Sequence, residues 1–305
     1  MYATFWKRFR TDGASRFANV KHYHHNMLRK RLRKTWTGIK TDIKSQSTQA
    51  SKIRYIQSMR LGIISDIHSN LLALEASLGI LKEMGVDAIY DLGDTVFGVL
   101  EPKEVLDLLR AENIPSVCGN MNRIVAQTPE TLLGNATLEL VKNSLSTAQV
   151  EYLAGFPKTL EVGEVLLCHG TPTSDETCLL ERILATGVFL EEDAAIAAKL
   201  IGIKHKLILC GHSHISRTVL LSGGRLIVNP GSVGLPAYEH DQPIPHVMQS
   251  GSPHARCAVL TQSKHGWNVQ HLLVTYDWET AARKAAQHGR PDHAGWLRTG
   301  RATQP

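Results

Sequence analysis

Two pairs of ligand-type residues in this 305-residue chain are each separated by one residue, Asp66 with His68 and His212 with His214. Carboxylate oxygens and imidazole nitrogens are common protein ligands of divalent transition metals. One Asp-x-His pair alone is better explained as a capping Asp beside a polar loop His, because such short patterns often occur by chance. The second pair, far along the chain, favours a metal centre.

Three further polar residues follow apolar runs that predict strands. Asp94 comes after the run of residues 86–92, Asn120 after residues 114–118 and His169 after residues 165–168, each with a neighbouring glycine. In open α/β sheets, functional residues collect beyond the carboxyl ends of the strands, and those ends share one edge of the sheet. We therefore expect these residues to lie near the two pairs.

The seven candidates are too many for one transition metal of four to six ligands, but they fit two ions that share a carboxylate. Asp94 is the natural bridge, because its negative charge offsets the repulsion between cations about 3.5–4 Å apart. Asn120 offers only a neutral carbonyl oxygen. The alternative makes each residue a packed or capping side chain, and seven of these at successive strand ends are hard to explain by chance.

The elements that must position these residues alternate between strand and helix. An apolar run from Leu61 predicts a buried strand, and Asn70 is a suitable N-cap for a helix to Met84, with Gly85 as its end. A strand over 86–92, a helix over 101–112 and a strand over 114–118 complete a βαβαβ unit.

Downstream, a hairpin, several short strands and three helical stretches are predicted, and their order implies two sheets packed face to face with helices outside. These elements are a helical stretch over 137–154, strands over 158–162 and 165–168, a helix over 191–201, strands over 207–210, 217–221 and 225–228, a polar loop over 238–254, strands over 255–261 and 269–276, and a closing helix.

Charge divides the chain unevenly. The first 60 residues carry 15 Lys or Arg and only two acids, whereas the other 245 carry 19 bases and 26 acids. We expect a basic, disordered N-terminal extension over 1–58, a globular domain over 59–288 and a C-terminal tail over 289–305. The extension could contact nucleic acid or anionic membrane weakly through phosphate neutralisation.

Membrane-spanning and disulfide-rich classes are excluded by composition. No apolar run approaches the length of about 18 residues that a spanning helix requires, and no signal-peptide h-region is apparent. The five cysteines are scattered without C-x-x-C spacing, which favours reduced, buried thiols over metal ligands. We therefore expect a cytoplasmic protein, whose oligomeric state the sequence leaves open.

The motifs D-x-H at 66–68, GD at 93–94, GN at 119–120, HG at 169–170 and GHSH at 211–214 resemble the calcineurin-like metallophosphoesterase superfamily. HGTP at 169–172 and NPGSVGLP at 229–236 are similar to its small bacterial phosphodiesterase branch, which is related to the Vps29 fold. The resemblance implies a four-layer α/β/β/α sandwich of two mixed sheets and a centre of two divalent ions, Mn, Fe, Ni or Zn. It implies that one ion is held by Asp66, His68 and His214, the other by Asn120, His169 and His212, and both by Asp94.

The sequence departs from the resemblance after Asn120. Many members continue with a His that is thought to protonate the leaving group and then an acid, but this chain has Met121 and Asn122. The usual general acid is therefore missing, and we expect Asn122 to leave the site without an acidic supporting residue. Arg123 could contact a substrate phosphate or form a surface ion pair, and the sequence leaves both open.

We predict a metal-dependent phosphoesterase, a phosphodiesterase or phosphatase, in which hydroxide activated by the two metals attacks phosphorus and Asp94, Asn120 and His169 lie at the catalytic centre. The substrate would be a small phosphate ester. Two alternatives stay open. One is a metal-bound interaction scaffold of Vps29 type with little or no catalysis, and the other is a nucleic-acid-binding protein, which rests only on the basic extension.

Overall fold

A computed structural model describes residues 59–302 of the chain. The basic extension over 1–58 and its expected disorder lie outside the described residues, as do residues 303–305. Between residues 59 and 302, no helix is both long and apolar enough to cross a bilayer.

Two mixed sheets form the centre of the fold. The strands are β1 (Arg60–Ile64), β2 (Ala88–Asp91), β3 (Thr159–Val162), β4 (Val165–Cys168), β5 (Glu181–Leu184), β6 (Gly187–Leu190), β7 (Leu207–Leu209), β8 (Arg217–Leu220), β9 (Leu226–Asn229), β10 (Ala237–His240), β11 (His246–Gln249), β12 (Ala255–Ser263) and β13 (Gly266–Val274). One sheet has the order β13-β12-β1-β2, and the other has the order β3-β4-β7-β9-β8. Leu61 and Ile63 of the first sheet pack against Leu167 and Leu209 of the second, so the sheets lie face to face.

Helices cover the outer faces of both sheets. The α-helices between residues 59 and 302 are α1 (Leu71–Glu83), α2 (Pro102–Ala111), α3 (Asn120–Gln127), α4 (Ala136–Ser144), α5 (Thr147–Ala154), α6 (Asp193–Lys199), α7 (Trp278–Gln287) and α8 (Pro291–Thr299). Apolar residues of α1, α2, α7 and α8 pack with Cys257 and Val259 of the first sheet, and Ile196 of α6 packs with Ile208 of the second. The predicted four-layer sandwich is confirmed.

Helix α1 shows how local sequence sets an element that the site needs. The Asn70 side chain accepts a hydrogen bond from the Ala73 amide at 3.1 Å and so caps the helix directly after the Asp66–His68 turn. Leu74, Leu78 and Leu81 lie on its buried face. The helix predicted between Asn70 and Met84 is confirmed.

The strand predicted over 114–118 is reduced to a single parallel bridge between Asp91 and Ser116. Pro115 has no amide hydrogen to donate to a ladder, and the Cys118 amide donates to Pro157 instead of to a strand. The segment nevertheless ends at the same sheet edge, where Asn120 begins helix α3.

The prediction of a polar loop over 238–254 is wrong, because β10 and β11 form an antiparallel hairpin there, with His240 opposite His246. The sequence analysis also missed a second hairpin, which β5 and β6 form. The strands of both hairpins are only four residues long, too short for the alternation that marks a strand with one buried face to stand out.

The segment assigned to a C-terminal tail contains helix α8. Its Leu297 packs with the helices that cover the first sheet, and its Trp296 packs with Leu235 and Ala237. Residues 291–299 therefore belong to the packed body.

Candidate metal centre

The carboxyl ends of both sheets deliver polar residues to one place. Asp66 and Asp94 follow β1 and β2 of the first sheet, and His169 and the His212–His214 segment follow β4 and β7 of the second. All of the parallel strand ends therefore point to a common edge, as predicted. The structure brings together every residue of the predicted ligand set, including Asn120 at the start of α3.

Asp66, His68 and His214 form one cluster, in which the candidate ligand atoms lie within 4.8 Å of one another. His68 Nε2 is 3.1 Å from His214 Nε2, and His214 Nε2 is 3.3 Å from Asp66 Oδ1. All three residues are buried.

Asp94, His169 and His212 form the second cluster, within the same 4.8 Å limit. His169 Nε2 lies 3.3 Å from Asp94 Oδ2 and 3.1 Å from Asn120 Oδ1. Asn120 thus adds a fourth oxygen or nitrogen atom to this cluster.

Asp94 stands between the clusters. Its Oδ2 is 3.3 Å from His169 Nε2 and 3.9 Å from His68 Nε2, whereas its Oδ1 accepts the Met121 amide hydrogen at 2.8 Å. The backbone of Met121 therefore occupies one carboxylate oxygen and leaves the other facing both clusters.

Backbone carbonyls hold the four imidazoles. In His68, His169 and His214, Nδ1 donates to a carbonyl, which leaves Nε2 facing the centre. In His212 it is Nε2 that donates to a carbonyl, which leaves Nδ1 facing the centre. The contacts are His68 with Phe97 at 2.8 Å, His169 with Leu92 at 2.8 Å, His214 with Leu235 at 2.6 Å and His212 with Glu176 at 2.9 Å.

This donor set fits a metal. Nδ1 of His68 and Nδ1 of His214 each donate a proton to a carbonyl, so the Nε2 lone pairs of the two rings face each other 3.1 Å apart. These lone pairs repel each other unless a cation lies between them. Asp66 Oδ1 is buried and has no hydrogen-bond donor. Buried acceptors of this kind are costly unless they are paired or coordinate a metal.

Charge within the centre is strongly coupled. Burial would raise the pKa of Asp66, but the imidazoles of His214 and His169 bring it below its usual value. Burial lowers the pKa of His212 to about 4. At His169, the carboxylates of Asp94 and Asp66 and the Leu92 carbonyl together outweigh burial and raise the pKa to about 9. A metal that binds to His169 at neutral pH must therefore displace a proton.

Backbone strain is concentrated at these residues. Asp66, His68, Asp94, His212 and His214 all have positive φ, between 46° and 69°. Non-glycine residues adopt this region rarely, and surrounding structure must hold them there. The sharp turns at the strand ends thus direct these side chains towards the same region.

Two glycines of the motifs are required by close packing. A Cβ at Gly119 would collide with Asp94 Oδ1, and one at Gly211 would collide with Ser65 Oγ. The small residue beside each ligand lets the strand ends approach closely enough for the ligands to meet.

Asn122 corrects the expectation of a missing support. Its Oδ1 accepts amide hydrogens from Asp94 at 2.5 Å and from Thr95 and Gly119 at 3.3 Å each. An amide oxygen accepts these bonds as a carboxylate oxygen would, so Asn122 holds the strained Asp94 backbone in place.

Arg123 points away from the large cavity above the centre. Its guanidinium pairs with Asp175 at 2.7 Å and with Glu176 at 2.7 Å. Because the Glu176 carbonyl faces His212 Nε2, Arg123 fixes the loop that orients this imidazole.

Tyr238 was missed by the sequence analysis because it fell in the expected loop. Its ring packs edge-on against His214, with centroids 4.6 Å apart, and its hydroxyl donates to the His212 carbonyl at 3.2 Å. The neighbouring NPGSVGLP motif was the available signal that this segment lies at the site. All five cysteines are free, and none belongs to either cluster.

Comparison with known proteins agrees with this geometry. Residues 59–248 match the family model of the calcineurin-like phosphoesterase superfamily domain. An uncharacterized protein of Methanocaldococcus jannaschii is 27% identical over 264 residues, which cover 79% of this chain and 97% of that protein.

Two crystal structures share the fold. A metallophosphoesterase from Sphaerobacter thermophilus is 24% identical with a TM-score of 0.60, and a hypothetical protein from Pyrococcus horikoshii is 19% identical with a TM-score of 0.62. In each case the match covers 80% of this chain and 100% of the other.

Proposed function

This chain belongs to the calcineurin-like phosphoesterase superfamily, and from that premise we propose that it is a metal-dependent hydrolase of phosphate esters. The observation that carries the proposal is the pair of clusters that share one carboxylate oxygen, Asp94 Oδ2. A scaffold that only binds partners has no need of seven converging ligand atoms.

We assign Asp66, His68 and His214 to one ion, Asn120, His169 and His212 to the other, and Asp94 to both. Imidazole and carboxylate ligands suit divalent Mn, Fe, Ni or Zn. When bound, such a pair of ions acidifies water and offsets the charge that develops on the phosphoryl oxygens.

The side chains of the chain itself have distinct tasks in this scheme. Asp94 supplies shared negative charge, Asn120 completes a shell without adding charge, and the carbonyls behind the imidazoles keep each ring in its orientation. Arg123 is a positioning residue that acts through Glu176 and His212. Met121 lines the cavity but cannot donate a proton from its side chain, so the leaving oxygen must depart as an anion or take its proton from water or from another residue of the cavity, such as a histidine of the 238–254 segment.

A cytoplasmic location is part of the proposal. Cys168, Cys210 and Cys257 are buried and free, which is the state expected of thiols in a reducing compartment.

Asp94→Asn tests the proposal directly. The amide has no charge for two cations to share, so the variant should keep its fold by circular dichroism, lose bound metal and lose at least 100-fold in turnover of p-nitrophenyl phosphate and bis(p-nitrophenyl) phosphate. Asp107→Asn, an exposed aspartate on α2 paired with Lys103, is the matched control and should behave as the parent.

Retention of two metals and full turnover by the Asp94 variant would refute the bridge. A parent protein that binds two metals but hydrolyses neither ester would favour the interaction scaffold instead. The relative rates of the two esters decide between phosphatase and phosphodiesterase activity.

A further inference from the structure

The metal centre forms one end of a cavity of about 1030 Å³. Pockets that hold drug-sized molecules measure about 300–1,000 Å³, so this space is far larger than a phosphoryl group needs. Much of the far wall is built by the β10–β11 hairpin and helix α8, the elements that the sequence analysis treated as loop and tail. The shape of the cavity therefore indicates what kind of group is attached to the phosphate.

The wall beyond the ligands is largely apolar and includes aromatic rings. Phe97, Ile124, Leu132, Leu235, Tyr238 and Trp296 all line it. Trp296 is held in place by its neighbours, because the His293 ring lies 4.7 Å from it and the Arg290 guanidinium 6.0 Å. A rigid aromatic side chain of this kind favours a planar partner, since rings prefer stacked or edge-on contact.

The cations in the wall are already neutralised. Arg182 lies 2.6 Å from Glu192, Lys199 lies 3.1 Å from Glu191, and Arg290 lies 2.6 Å from Asp292. Among the described residues that line the cavity, no further Lys or Arg is present. A second phosphate would therefore have to break an existing ion pair.

Acidic side chains in the same wall oppose additional negative charge. Glu176 and Glu181 line the cavity, and each is paired with an arginine outside it, Arg123 and Arg217 respectively. The cavity thus offers an apolar surface, and the charged side chains named above are already paired with one another or with residues outside it. Both features suit an uncharged organic group.

The geometry points to a substrate with a single phosphoryl group, esterified by a bulky, uncharged alcohol that carries an aromatic ring, with Trp296 as the specificity-determining residue. This inference rests on the proposed function and names its substrate class. The phosphoryl group lies at the metal centre, and the ring lies in the apolar part of the cavity against Trp296. Polyphosphate esters are disfavoured.

The test uses phosphodiesters with the same leaving group and different second alcohols. Water adds across the P–O bond to p-nitrophenol, releasing nitrophenolate, a proton and the phosphomonoester of the other alcohol. We expect kcat/KM of the full chain with Mn²⁺ to be at least tenfold higher for naphthylmethyl p-nitrophenyl phosphate than for methyl p-nitrophenyl phosphate. A derivative whose second alcohol bears another phosphate should react no faster than the methyl ester.

Variants of Trp296 test whether this residue causes the preference for the naphthylmethyl ester. Trp296→Ala should lower the naphthylmethyl-to-methyl ratio at least fivefold, whereas Trp296→Phe, which keeps a ring, should retain most of it. Trp267→Ala is the matched control on β13, where the indole donates to Glu164 outside the cavity wall. It should leave the ratio unchanged. The ratio is internal to each protein, so partial loss of folded protein does not alter it.

Binding separates failure of this inference from failure of the proposed function. Naphthylmethyl phosphonate and methyl phosphonate cannot be hydrolysed, and calorimetry with the same protein should give at least tenfold tighter binding of the first. Equal binding, equal ester rates or a preference for the doubly phosphorylated ester would overturn the substrate class. No turnover of any ester, with selective phosphonate binding, would overturn only the hydrolytic function.

Discussion

Met121 lines the cavity at a position from which, under the proposed function, a side chain could protonate the leaving oxygen. In this chain Met121 gives its amide hydrogen to Asp94 Oδ1 and extends its thioether into the cavity wall. The backbone contact is independent of the side chain, so the residue type at this position can change without removing the support of the bridge. The Met121 side chain itself has no proton to donate.

Met121→His should supply that proton. In the parent, rate should fall steeply as the pKa of the leaving alcohol rises, because no side chain at this position protonates it. The variant should gain most with poor leaving groups, at up to about 10²-fold, the lower end of general acid catalysis. Met121→Leu is the control for shape. Equal slopes of log rate against leaving-group pKa in all three proteins would show that proton donation at residue 121 does not limit turnover.

Asp91 lies beneath the centre as a buried carboxyl group. It accepts hydrogen bonds from the Gly93 amide at 3.1 Å and the Thr95 hydroxyl at 3.0 Å, but burial dominates and raises its pKa to about 7. The folded state therefore binds a proton that the unfolded state has lost above its own pKa near 4. Stability contributed by Asp91 is greatest at low pH and falls as pH rises towards 7.

Asp91→Asn should remove this dependence. The amide keeps an acceptor for Gly93, and the Thr95 hydroxyl can rotate to accept instead of donate. In metal-free protein, the free energy of unfolding of the parent relative to the variant should fall by roughly 2 kcal/mol between pH 5 and 7. Urea denaturation at each pH measures the difference. A constant difference would mean that Asp91 keeps an ordinary pKa.

At the scale of elements, the second metal cluster depends on a loop as well as on strands. Helix α3 carries Arg123, which reaches across to the loop of residues 174–177, and the Glu176 carbonyl in that loop accepts from His212 Nε2. Helix, loop and ligand form one connected chain of contacts.

Arg123→Met should therefore weaken one metal site selectively. Loss of an orienting contact behind a ligand commonly lowers metal affinity 10–100-fold. We expect about tenfold weaker binding of the ion at His169 and His212 by calorimetry, with the ion at Asp66, His68 and His214 unaffected. Arg298→Met, which removes an exposed arginine paired with Glu279, is the matched control. Equal weakening of both ions would contradict a role confined to the loop.

At the scale of the whole molecule, the described body begins at its first strand. The Met59 carbonyl accepts from the Gln262 amide at 2.9 Å, and the Met59 side chain packs against the core between the sheets. The candidate ligands all follow this residue.

A chain that starts at Met59 should fold and keep its turnover, because the described core and every candidate ligand lie within residues 59–302. Melting temperature and p-nitrophenyl ester turnover check this. If the full chain bound DNA or anionic vesicles with steep salt dependence and the shortened one did not, the extension would be a targeting arm. Loss of folding on shortening would show that the extension belongs to the domain.

The sequence by itself determined the candidate ligand set and most of the elements that carry it. Asp66, His68, Asp94 and the His212–His214 pair stand directly after apolar runs, and local periodicity is enough to identify a buried strand and its end. The cap at Asn70 likewise depends only on neighbours three residues away. Features of this kind are encoded within one turn or one strand.

The tertiary structure alone decided the contacts between distant segments. Which oxygen of Asp94 faces both clusters depends on the Met121 amide, and the partners of Arg123 lie 52 and 53 residues away. The role of Trp296 depends on where helix α8 packs, which no local pattern records. Periodicity reports which face of an element is buried, but the residue that meets that face is set only when the layers assemble.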